Sequence, residues 1–284
     1  MDFWKYHGAG NSFALLEGRH GDERDWPSLA QALCAHHTGV GADGLLVVLP
    51  SEVANLRMRM FNPDGSEDMC GNGLRCVALH AVERGRAAGA FRVETLAGVR
   101  RVDVVSHRDP HAVVAAGMGR ADLRPEAIPA NLPGADARGI ELEAGGTWLR
   151  ATALSTGSAH CVILGPPPDE AEFQRLSPLI EHHPLFPERV SVIWTTVAGQ
   201  DALRLRIWER GAGETWACGT GACAAAVAAH LEKLCGCEVA VSSRGGTLRV
   251  AIGPELELTL TGPAARVFRG VWPDAGREAV RAEL

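Results

Sequence analysis

The chain has 284 residues, of which 46% are hydrophobic and 22% charged, and its formal net charge is −6. This length favours two domains over one compact core, and the acidic balance argues against nucleic acid or an anionic membrane as the main partner. No apolar run is long enough for a transmembrane helix, and the first residues lack the pattern of a secretory signal. We expect a cytoplasmic enzyme.

Many short strands are predicted along the chain, with two surface helices over residues 27–37 and 169–182. Strands are predicted where apolar and polar residues alternate or where β-branched residues cluster. They cover residues 56–60, 90–96, 99–106, 111–118, 147–155, 160–165, 189–197, 203–207, 238–244, 247–252 and 255–262. A last strand, residues 264–272, is expected to return to the first half of the chain.

Two further helices are predicted, one after Cys70 that ends at Gly85 and one after Cys218 that ends near Gly236. The second is apolar almost all round, as in a helix buried inside a sheet. The pattern of each half of the chain therefore predicts strands wrapped around one central helix, an α/β (α+β) fold. A proline-rich segment, residues 119–134, indicates a boundary. We expect one domain over residues 1–118 with 264–284, and another over residues 119–263.

One pattern occurs twice in the chain. The segment LRMRMFNPDGSEDMCGNGLRC ends at Cys76, and the segment LRLRIWERGAGETWACGTGAC ends at Cys223. In each, an alternating strand leads through a turn rich in glycine and acidic residues to a cysteine followed by glycine. Glycine lets backbone N–H groups approach a ligand, and a helix N-terminus binds carboxylate and lowers the pKa of a thiol. A single copy is equally consistent with packing, but two copies predict a pair of thiols that act together.

Two thiols on opposite sides of one carbon suit a proton exchange with inversion of configuration. The thiolate of one removes a proton from one face, and the thiol of the other donates a proton to the opposite face. The two helix N-termini would hold the carboxylate and stabilise the charge that develops. Such a site requires no cofactor. No metal is expected either, because the eight cysteines lack the spacing of zinc ligands, and Cys34 and Cys161 are expected to be buried hydrophobic residues.

Five motifs resemble those of the diaminopimelate epimerases, racemases that work without pyridoxal phosphate. They are HGAGNSF, FNPDGSEDMCGNGLRC, STGSAHCVIL, FPERVSV and WERGAGETWACGTGACA, and they keep the order of the family. The resemblance implies an isomerase with two pseudo-symmetric domains, each a strongly curved, mostly antiparallel sheet around a central helix. It also implies an active site in the cleft between them, a homodimer, and a small-molecule substrate. The reaction would convert LL-diaminopimelate to the meso form for lysine and cell-wall synthesis.

The resemblance also implies a role for each matching residue. Cys70 and Cys218 match the two catalytic bases, and His160 and Glu209 match groups that set the ionisation of the thiols. The substrate-binding positions of the family match Asn11, Gly44, Asn62, Gly71, Asn72, Ser158, Ser191, Glu209, Arg210, Gly219 and Thr220. Within this set, the pairs that follow each cysteine would hold the carboxylate at the reacting carbon. Arg210 would grip the distal carboxylate.

Three positions of this set depart from the usual pattern of the family. Ser158 and Ser191 stand where asparagine is usual, and Gly44 stands where glutamine is common. The two asparagines belong to the part of the pocket that reads the distal amino acid group, and a hydroxyl donates one hydrogen bond where an amide donates two. The substrate is therefore diaminopimelate, with water filling the gap, or another amino acid such as histidine or another basic amino acid.

Two other classes of function remain as alternatives. A binding protein with this fold would need neither thiol, and the presence of both cysteines with both glycine motifs argues against it. A redox-sensing module would use a disulfide between Cys70 and Cys218. We expect such an oxidation to silence the enzyme reversibly.

Overall fold

The structure is a computed structural model that describes residues 1–22, 24–166 and 168–273. Its α-helices are Trp26–Cys34 (α1), Gly71–Glu83 (α2), Glu170–Glu181 (α3) and Gly219–Leu231 (α4). Its strands are Asp2–Gly8 (β1), Asn11–Glu17 (β2), Gly44–Leu49 (β3), Leu56–Phe61 (β4), Glu67–Asp68 (β5), Ala90–Thr95 (β6), Gly98–Arg108 (β7), His111–Arg120 (β8), Ile140–Ala144 (β9), Thr147–Ser155 (β10), Ala159–Leu164 (β11), Ser191–Gly199 (β12), Ala202–Glu209 (β13), Gly213–Thr215 (β14), Glu238–Ser243 (β15), Gly246–Ile252 (β16) and Glu257–Val271 (β17).

The strands that precede the two cysteines have the alternating burial that their sequences predict. In β4, Leu56, Met58 and Met60 are buried and Arg57 is exposed. The leucines and the isoleucine of β13 are buried in the same alternation. Successive side chains of a strand point to opposite faces of the sheet, so in each case one face of the strand covers a core. The predicted strands are confirmed here.

The order of strand pairing also repeats. From β1 to β4, successive strands pair antiparallel, parallel and antiparallel. β4 then pairs parallel with β6, and β6, β7 and β8 follow antiparallel. The strands β10, β11, β12, β13, β15, β16 and β17 pair in the same series of directions. The short strands β5 and β14 form the hairpins that lead to the cysteines. The duplication seen in the sequence is therefore a duplication of topology.

Each half of the repeat buries one helix. α2 packs against β1, β7, β8 and β17, and α4 packs against β11, β12, β13 and β16. Every residue from Gly71 to Ala81 is buried, and α4 is apolar on all sides with buried alanines along its length. The surface helices α1 and α3 cover the outer faces of the strands, as predicted. The α/β architecture of curved sheets around central helices is confirmed.

The ends of α2 and α4 use the same backbone turn with different residues. Gly85 follows α2 at φ 65°, and Lys233 follows α4 at φ 60°. In each case the next N–H group bonds back to the last turn of the helix, from Arg86 to Ala81 at 2.8 Å and from Leu234 to Ala229 at 2.9 Å. This is the Schellman motif. The prediction that α4 ends near Gly236 was wrong, because a lysine adopts the left-handed conformation that glycine usually supplies.

Residues 257–271 form one long strand, β17, where the sequence predicted two. β17 continues through Pro263, which pairs with Val113 of β8. Its last part pairs with β1, from Ala265 with His7 to Val271 with Asp2, so the strand does return to the first half. Because β8 and β17 both continue across the predicted boundaries, the division into two domains remains a prediction. Residues 274–284 of the predicted first domain lie outside the described residues.

No helix in the described ranges is long and apolar enough to cross a membrane. All eight cysteines lie in those ranges and are free thiols, and Cys34 and Cys161 are buried as expected.

Candidate active site

Cys70 and Cys218 are the N-caps of the two central helices. Their backbone angles agree closely, with φ −129° and ψ 117° at Cys70 and φ −130° and ψ 114° at Cys218. Each sulfur accepts a hydrogen bond from the N–H group three residues later, Gly73 at 3.4 Å and Gly221 at 3.3 Å. The first N–H groups of a helix have no partner within the helix. Both thiols therefore lie at the positive end of a helix, where a thiolate and a carboxylate are both stabilised.

The N-termini of α2 and α4 meet, and glycines make the approach possible. A Cβ added at Gly219 would lie 3.0 Å from Cδ2 of Leu260 and 3.5 Å from Oδ1 of Asn72. A Cβ added at Gly71 would lie 2.8 Å from Cε of Met118 and 3.6 Å from the same Leu260 atom. One residue of β17 thus packs against the first residue of both helices. The two glycine motifs that the sequence singles out are brought together.

Asn11 and Asn72 contact Cys70. The Oδ1 atom of Asn11 accepts from the Cys70 thiol at 3.7 Å and from Nδ2 of Asn72 at 3.4 Å. Asn72 is buried, whereas Cys70 and Asn11 are partly exposed. Burial raises the pKa of the Cys70 thiol to about 11, and hydrogen bonds from the N–H groups of Gly73 and Asn72 act in the opposite direction. The two predicted asparagines and the first cysteine form one cluster.

A chain of hydroxyl groups connects Cys218 with His160. Thr220 Oγ1 lies 3.3 Å from the Cys218 sulfur and accepts a hydrogen bond from Ser158 Oγ at 3.2 Å. Ser158 Oγ also lies 3.0 Å from Nε2 of His160. The other ring nitrogen of His160, the buried Nδ1 atom, has no partner among the described residues. Burial lowers the pKa of His160 to about 3, so the ring is neutral.

Glu209 acts on both thiols. Its carboxyl accepts a hydrogen bond from Oγ1 of Thr215, and burial raises its pKa, against which hydrogen bonds from Thr215 and Cys218 act. The pKa of Cys218 is raised well above its ordinary value, first by burial and then by the negative charge of Glu209. The same carboxylate also raises the pKa of Cys70. Its influence on both sulfurs indicates that they share one site.

Ser191 and Arg210 lie at the edge of the same region. In the sheet, Ser191 is the neighbour of His160 in the parallel pair of β11 and β12. Its hydroxyl oxygen accepts the backbone N–H group of Arg210 at 3.1 Å. The exposed Arg210 guanidinium donates to the carbonyl oxygen of Glu188 at 3.3 Å. The serine thus holds the backbone from which the arginine side chain extends.

Two predicted site residues lie in other surroundings. Asn62, in the turn after β4, donates from Nδ2 to Ser66 Oγ at 3.0 Å, and among the described residues no bond connects it with the cysteine clusters. Gly44 is buried at the start of β3, and a Cβ there would lie 2.8 Å from Cε of Met60 and 3.1 Å from the carbonyl oxygen of Phe61. The space for a side chain at position 44 is therefore taken by the core of this chain.

Three residues join the site without having been predicted. Thr215 binds Glu209, and Thr156 donates to the carbonyl oxygen of Thr220 at 2.9 Å. Arg75 is fully buried and donates from NH2 to Oδ1 of Asn72 at 2.7 Å. An arginine at a buried position of an otherwise apolar helix is a signal that the sequence does contain. Thr156 carries no such signal, because its partner is 64 residues away, whereas Thr215 lies only six residues from Glu209.

Comparisons with known proteins identify the family to which the chain belongs. The profile of the family described as Diaminopimelate epimerase matches residues 3–123 and 152–267. A diaminopimelate epimerase of Pelotomaculum thermopropionicum is 44% identical over 277 residues, covering 96% of this chain and 99% of the relative. One of Moorella thermoacetica is 44% identical over 279 residues, with the same coverage.

Solved structures extend the likeness at the level of the fold. A hydroxyproline epimerase from Agrobacterium vitis matches with a TM-score of 0.71 at 17% identity, over 95% of this chain and 90% of that one. A probable proline racemase from Agrobacterium radiobacter matches with a TM-score of 0.71 at 16% identity, over 96% and 92%. With two relatives at 44% identity over nearly the full length and a family profile that covers most of the sequence, the chain belongs to the diaminopimelate epimerase family.

Proposed function

We propose that this chain interconverts LL-diaminopimelate and meso-diaminopimelate with Cys70 and Cys218 as the two bases. The family supplies the substrate, and the observation that carries the mechanism is the matched pair of thiols. Each caps a central helix in the same backbone conformation, and the two helix N-termini lie against each other. This arrangement is what proton removal from one face of a carbon and proton delivery to the other face requires.

The proton inventory of the reaction balances within the two thiols. The thiolate of one cysteine takes the α-proton, and the electrons of the broken C–H bond move toward the α-carboxylate. The S–H bond of the other cysteine then breaks, and its proton is added to the α-carbon on the opposite face. The first cysteine ends as a thiol and the second as a thiolate, so the pair exchanges roles with each turnover. Both proton carriers are side chains, and the mechanism therefore calls for no cofactor.

Backbone N–H groups at the starts of α2 and α4 are suited to hold the α-carboxylate. The groups in question belong to Gly71, Asn72, Gly219 and Thr220, in the first turn of each helix. Unpaired N–H groups and the helix dipole stabilise a carboxylate and gain strength when negative charge spreads onto it in the transition state. Arg210 extends from the same region and is the proposed partner of the distal carboxylate.

The alternative substrate, histidine or another basic amino acid, depended on the two missing amides at positions 158 and 191. Both hydroxyls bond to groups of the protein itself, Ser158 to Thr220 and Ser191 to the N–H group of Arg210. Arg210, which suits a distal carboxylate and not a distal cation, is retained. These contacts favour diaminopimelate.

The proposal is tested by proton NMR of the reduced protein with LL-diaminopimelate in deuterated water. We expect the α-proton signal to disappear as the meso isomer forms. A Cys218→Ala variant should abolish epimerisation, with its fold checked by circular dichroism. If the folded wild-type protein with free thiols exchanges no proton of diaminopimelate, the substrate assignment is wrong. The same assay with histidine and other basic amino acids then tests the alternative.

We also propose that the protein is a cytoplasmic homodimer whose product serves lysine synthesis. The homodimer is supported by exposed apolar side chains on β17, which include Val267, Phe268 and Val271. Light scattering on the purified protein tests it: a mass near twice the 30.1 kDa of one chain is expected, and a monomer at micromolar concentration would refute it.

A further inference from the structure

Arg75 is a buried cation that the proposed mechanism leaves without a role. It lies five residues after Cys70, on α2, and its side chain is fully buried. Its guanidinium donates to Oδ1 of Asn72 at 2.7 Å, to the carbonyl oxygen of Gly71 at 3.3 Å and to the carbonyl oxygen of Pro263 at 3.4 Å. All three acceptors are uncharged. A guanidinium remains protonated in proteins, so a full positive charge lies inside the fold.

This charge has no carboxylate partner among the described residues, although a buried charge is costly unless it is paired. The surrounding backbone is built to accept it. A Cβ added at Gly262 would lie 3.2 Å from the Arg75 Nε atom, and one at Gly8 would lie 3.5 Å from NH2. Glycines from two different strands thus leave the space that the guanidinium fills. A cation kept at this cost indicates a negative charge that arises during function.

The repeat has no counterpart of this cation on its other side. Counting five residues from Cys218 gives Cys223, a buried neutral thiol. The carboxylate of Glu209 interacts with the Cys218 thiol and opposes its ionisation. Glu209 also opposes the ionisation of Cys70, and its effect there is larger than that of Arg75. The two thiols differ in that Arg75 counters Glu209 at Cys70, whereas position 223 carries no charge, although their backbones match.

The groups that face these thiols come from several elements. Glu209 from β13 raises the pKa of Cys70, and Arg75 from α2 lowers it. Burial lowers the pKa of Arg75, and negative charge on the thiols of Cys76, Cys70 and Cys223 would raise it. Glu209 is influenced by Asp68 of β5 and by Asp43, both of which raise its pKa. Of these groups, Arg75 is the one that favours a thiolate at Cys70.

Arg75 also fixes the orientation of Asn72. Because the guanidinium takes Oδ1 of the amide, Nδ2 is directed to Oδ1 of Asn11, the atom that also accepts from the Cys70 thiol. The arginine is therefore connected with the thiol through two asparagines. Because the thiol donates to Asn11, that bond holds the protonated form, and it is the charge of Arg75 that favours the thiolate.

We propose that Arg75 is a positioning residue that makes Cys70 the first of the two thiols to ionise. The free protein then starts the reaction by taking a proton on the Cys70 face, with Cys218 carrying the proton to be donated. This inference rests on the proposed function, in which both thiols act as bases. Its test uses thiol chemistry alone and needs no turnover of diaminopimelate.

The experiment is alkylation with iodoacetamide across a pH series, with the labelled peptides of Cys70 and Cys218 quantified by mass spectrometry. The pH midpoint of labelling reports ionisation, because unequal access scales the rate at every pH and leaves the midpoint in place. In the wild-type protein, the midpoint of Cys70 is expected below that of Cys218. The reverse order, or equal midpoints, would overturn the proposal without any variant.

Two substitutions separate charge from shape. Arg75→Gln removes the charge and should raise the Cys70 midpoint by about one unit, a roughly tenfold loss of labelling below the midpoint, with Cys218 changed less. Arg75→Lys keeps the charge and should stay within about threefold of wild type. Arg100→Gln, an arginine of β7 whose guanidinium lies beside Gly119, is the matched control and should change neither midpoint.

Melting curves show whether each variant is folded. If folded Arg75→Gln has the midpoints of wild type, Arg75 has only a structural role and the inference fails. If Arg75→Gln does not fold, the order of the wild-type midpoints and the midpoint of Cys70 in Arg75→Lys still test the inference. Labelling in the expected order with no exchange of diaminopimelate would leave the inference standing and refute the proposed substrate.

Discussion

The contact of Ser158 with Thr220 is the equivalent, in the second half of the repeat, of the contact of Asn11 with Asn72. Each lies at the turn into the second strand of its half, and each contacts the second residue after a cysteine, Ser158 Oγ with Thr220 Oγ1 at 3.2 Å and Asn11 Oδ1 with Asn72 Nδ2 at 3.4 Å. The repeat therefore assigns Ser158 to the support of Cys218. Its hydroxyl is engaged with the protein and not left free for the distal end of a substrate.

Ser158→Ala should lower kcat and leave KM almost unchanged. The substitution removes the connection between His160 and Thr220, and a neutral hydrogen bond contributes about 1 kcal/mol, which corresponds to a roughly 3- to 10-fold lower kcat. The pH profile of kcat should shift as well, because Cys218 loses part of its hydrogen-bond network. Steady-state kinetics with LL-diaminopimelate across pH provides the measurement.

The control for this variant is Thr196→Val, on β12 and outside the site. It removes a hydroxyl that donates to the carbonyl oxygen of Gly165. Its kinetics should match wild type. A Ser158→Ala variant with raised KM and normal kcat would instead assign the serine to substrate recognition.

Ser191→Ala should act mainly on KM. Its hydroxyl oxygen is the acceptor for the Arg210 N–H group, and without it the backbone that carries the arginine is less firmly held. An increase in KM of about 3- to 10-fold is expected from the loss of one hydrogen bond, with kcat within about twofold. Equal kinetics in the variant would mean that Arg210 is positioned by its other contact, to the carbonyl oxygen of Glu188.

Gly219→Ala should impair the enzyme by separating the two helix N-termini. The added Cβ would lie 3.0 Å from Cδ2 of Leu260, which must shift by a few tenths of an ångström, and in ordinary contact with Asn72 at 3.5 Å. Overpacking costs about 1 kcal/mol at the low end of its usual range, and a displacement of this size at the reacting centre is expected to lower kcat by about 10-fold. Thermal melting and kinetics together measure the two effects.

Gly165→Ala is the matched control for Gly219→Ala, because nothing lies within 4 Å of its added Cβ. It should retain wild-type activity. Full activity of Gly219→Ala would show that the approach of α2 and α4 does not matter for turnover.

His160 should make the protein less stable as the pH falls. Its pKa is about 3 in the folded chain and about 6.5 in an unfolded one. Between these values the unfolded chain binds a proton that the folded chain does not, so the free energy of unfolding decreases with falling pH. A shift from pH 6.5 to pH 5 corresponds to about 2 kcal/mol for this one group.

The measurement is urea unfolding near pH 7.5 and near pH 5 for wild type and for His160→Gln. The variant should lose about 2 kcal/mol less between the two conditions. His80, whose pKa is lowered to about 4 by burial, contributes with the same sign in both proteins and cancels in the difference. Identical losses in the two proteins would mean that His160 is not kept neutral by burial.

Much of the fold and part of the site could be predicted from the sequence, for local reasons. The alternation of β4 is a property of neighbouring residues, and so is the cysteine that caps α2 with a glycine on its C-terminal side. The end of α4 was predicted wrongly because Lys233 adopts a backbone conformation that its neighbours stabilise with two hydrogen bonds. Pro263 was expected to separate two strands, but the pairing of β17 with β8 continues across it.

The sequence by itself determined the duplication, the two capping thiols and the membership of the family, because each depends on residues close together in the chain. Only the tertiary structure decided that Arg75 donates to Asn72 with no carboxylate partner in the described part of the chain, and that Ser158 connects His160 with Thr220. The physical reason is that these contacts join residues of different strands and helices, whose register is set by the packing of both halves. A buried charge and a hydroxyl acquire a function only from the partners that this packing supplies.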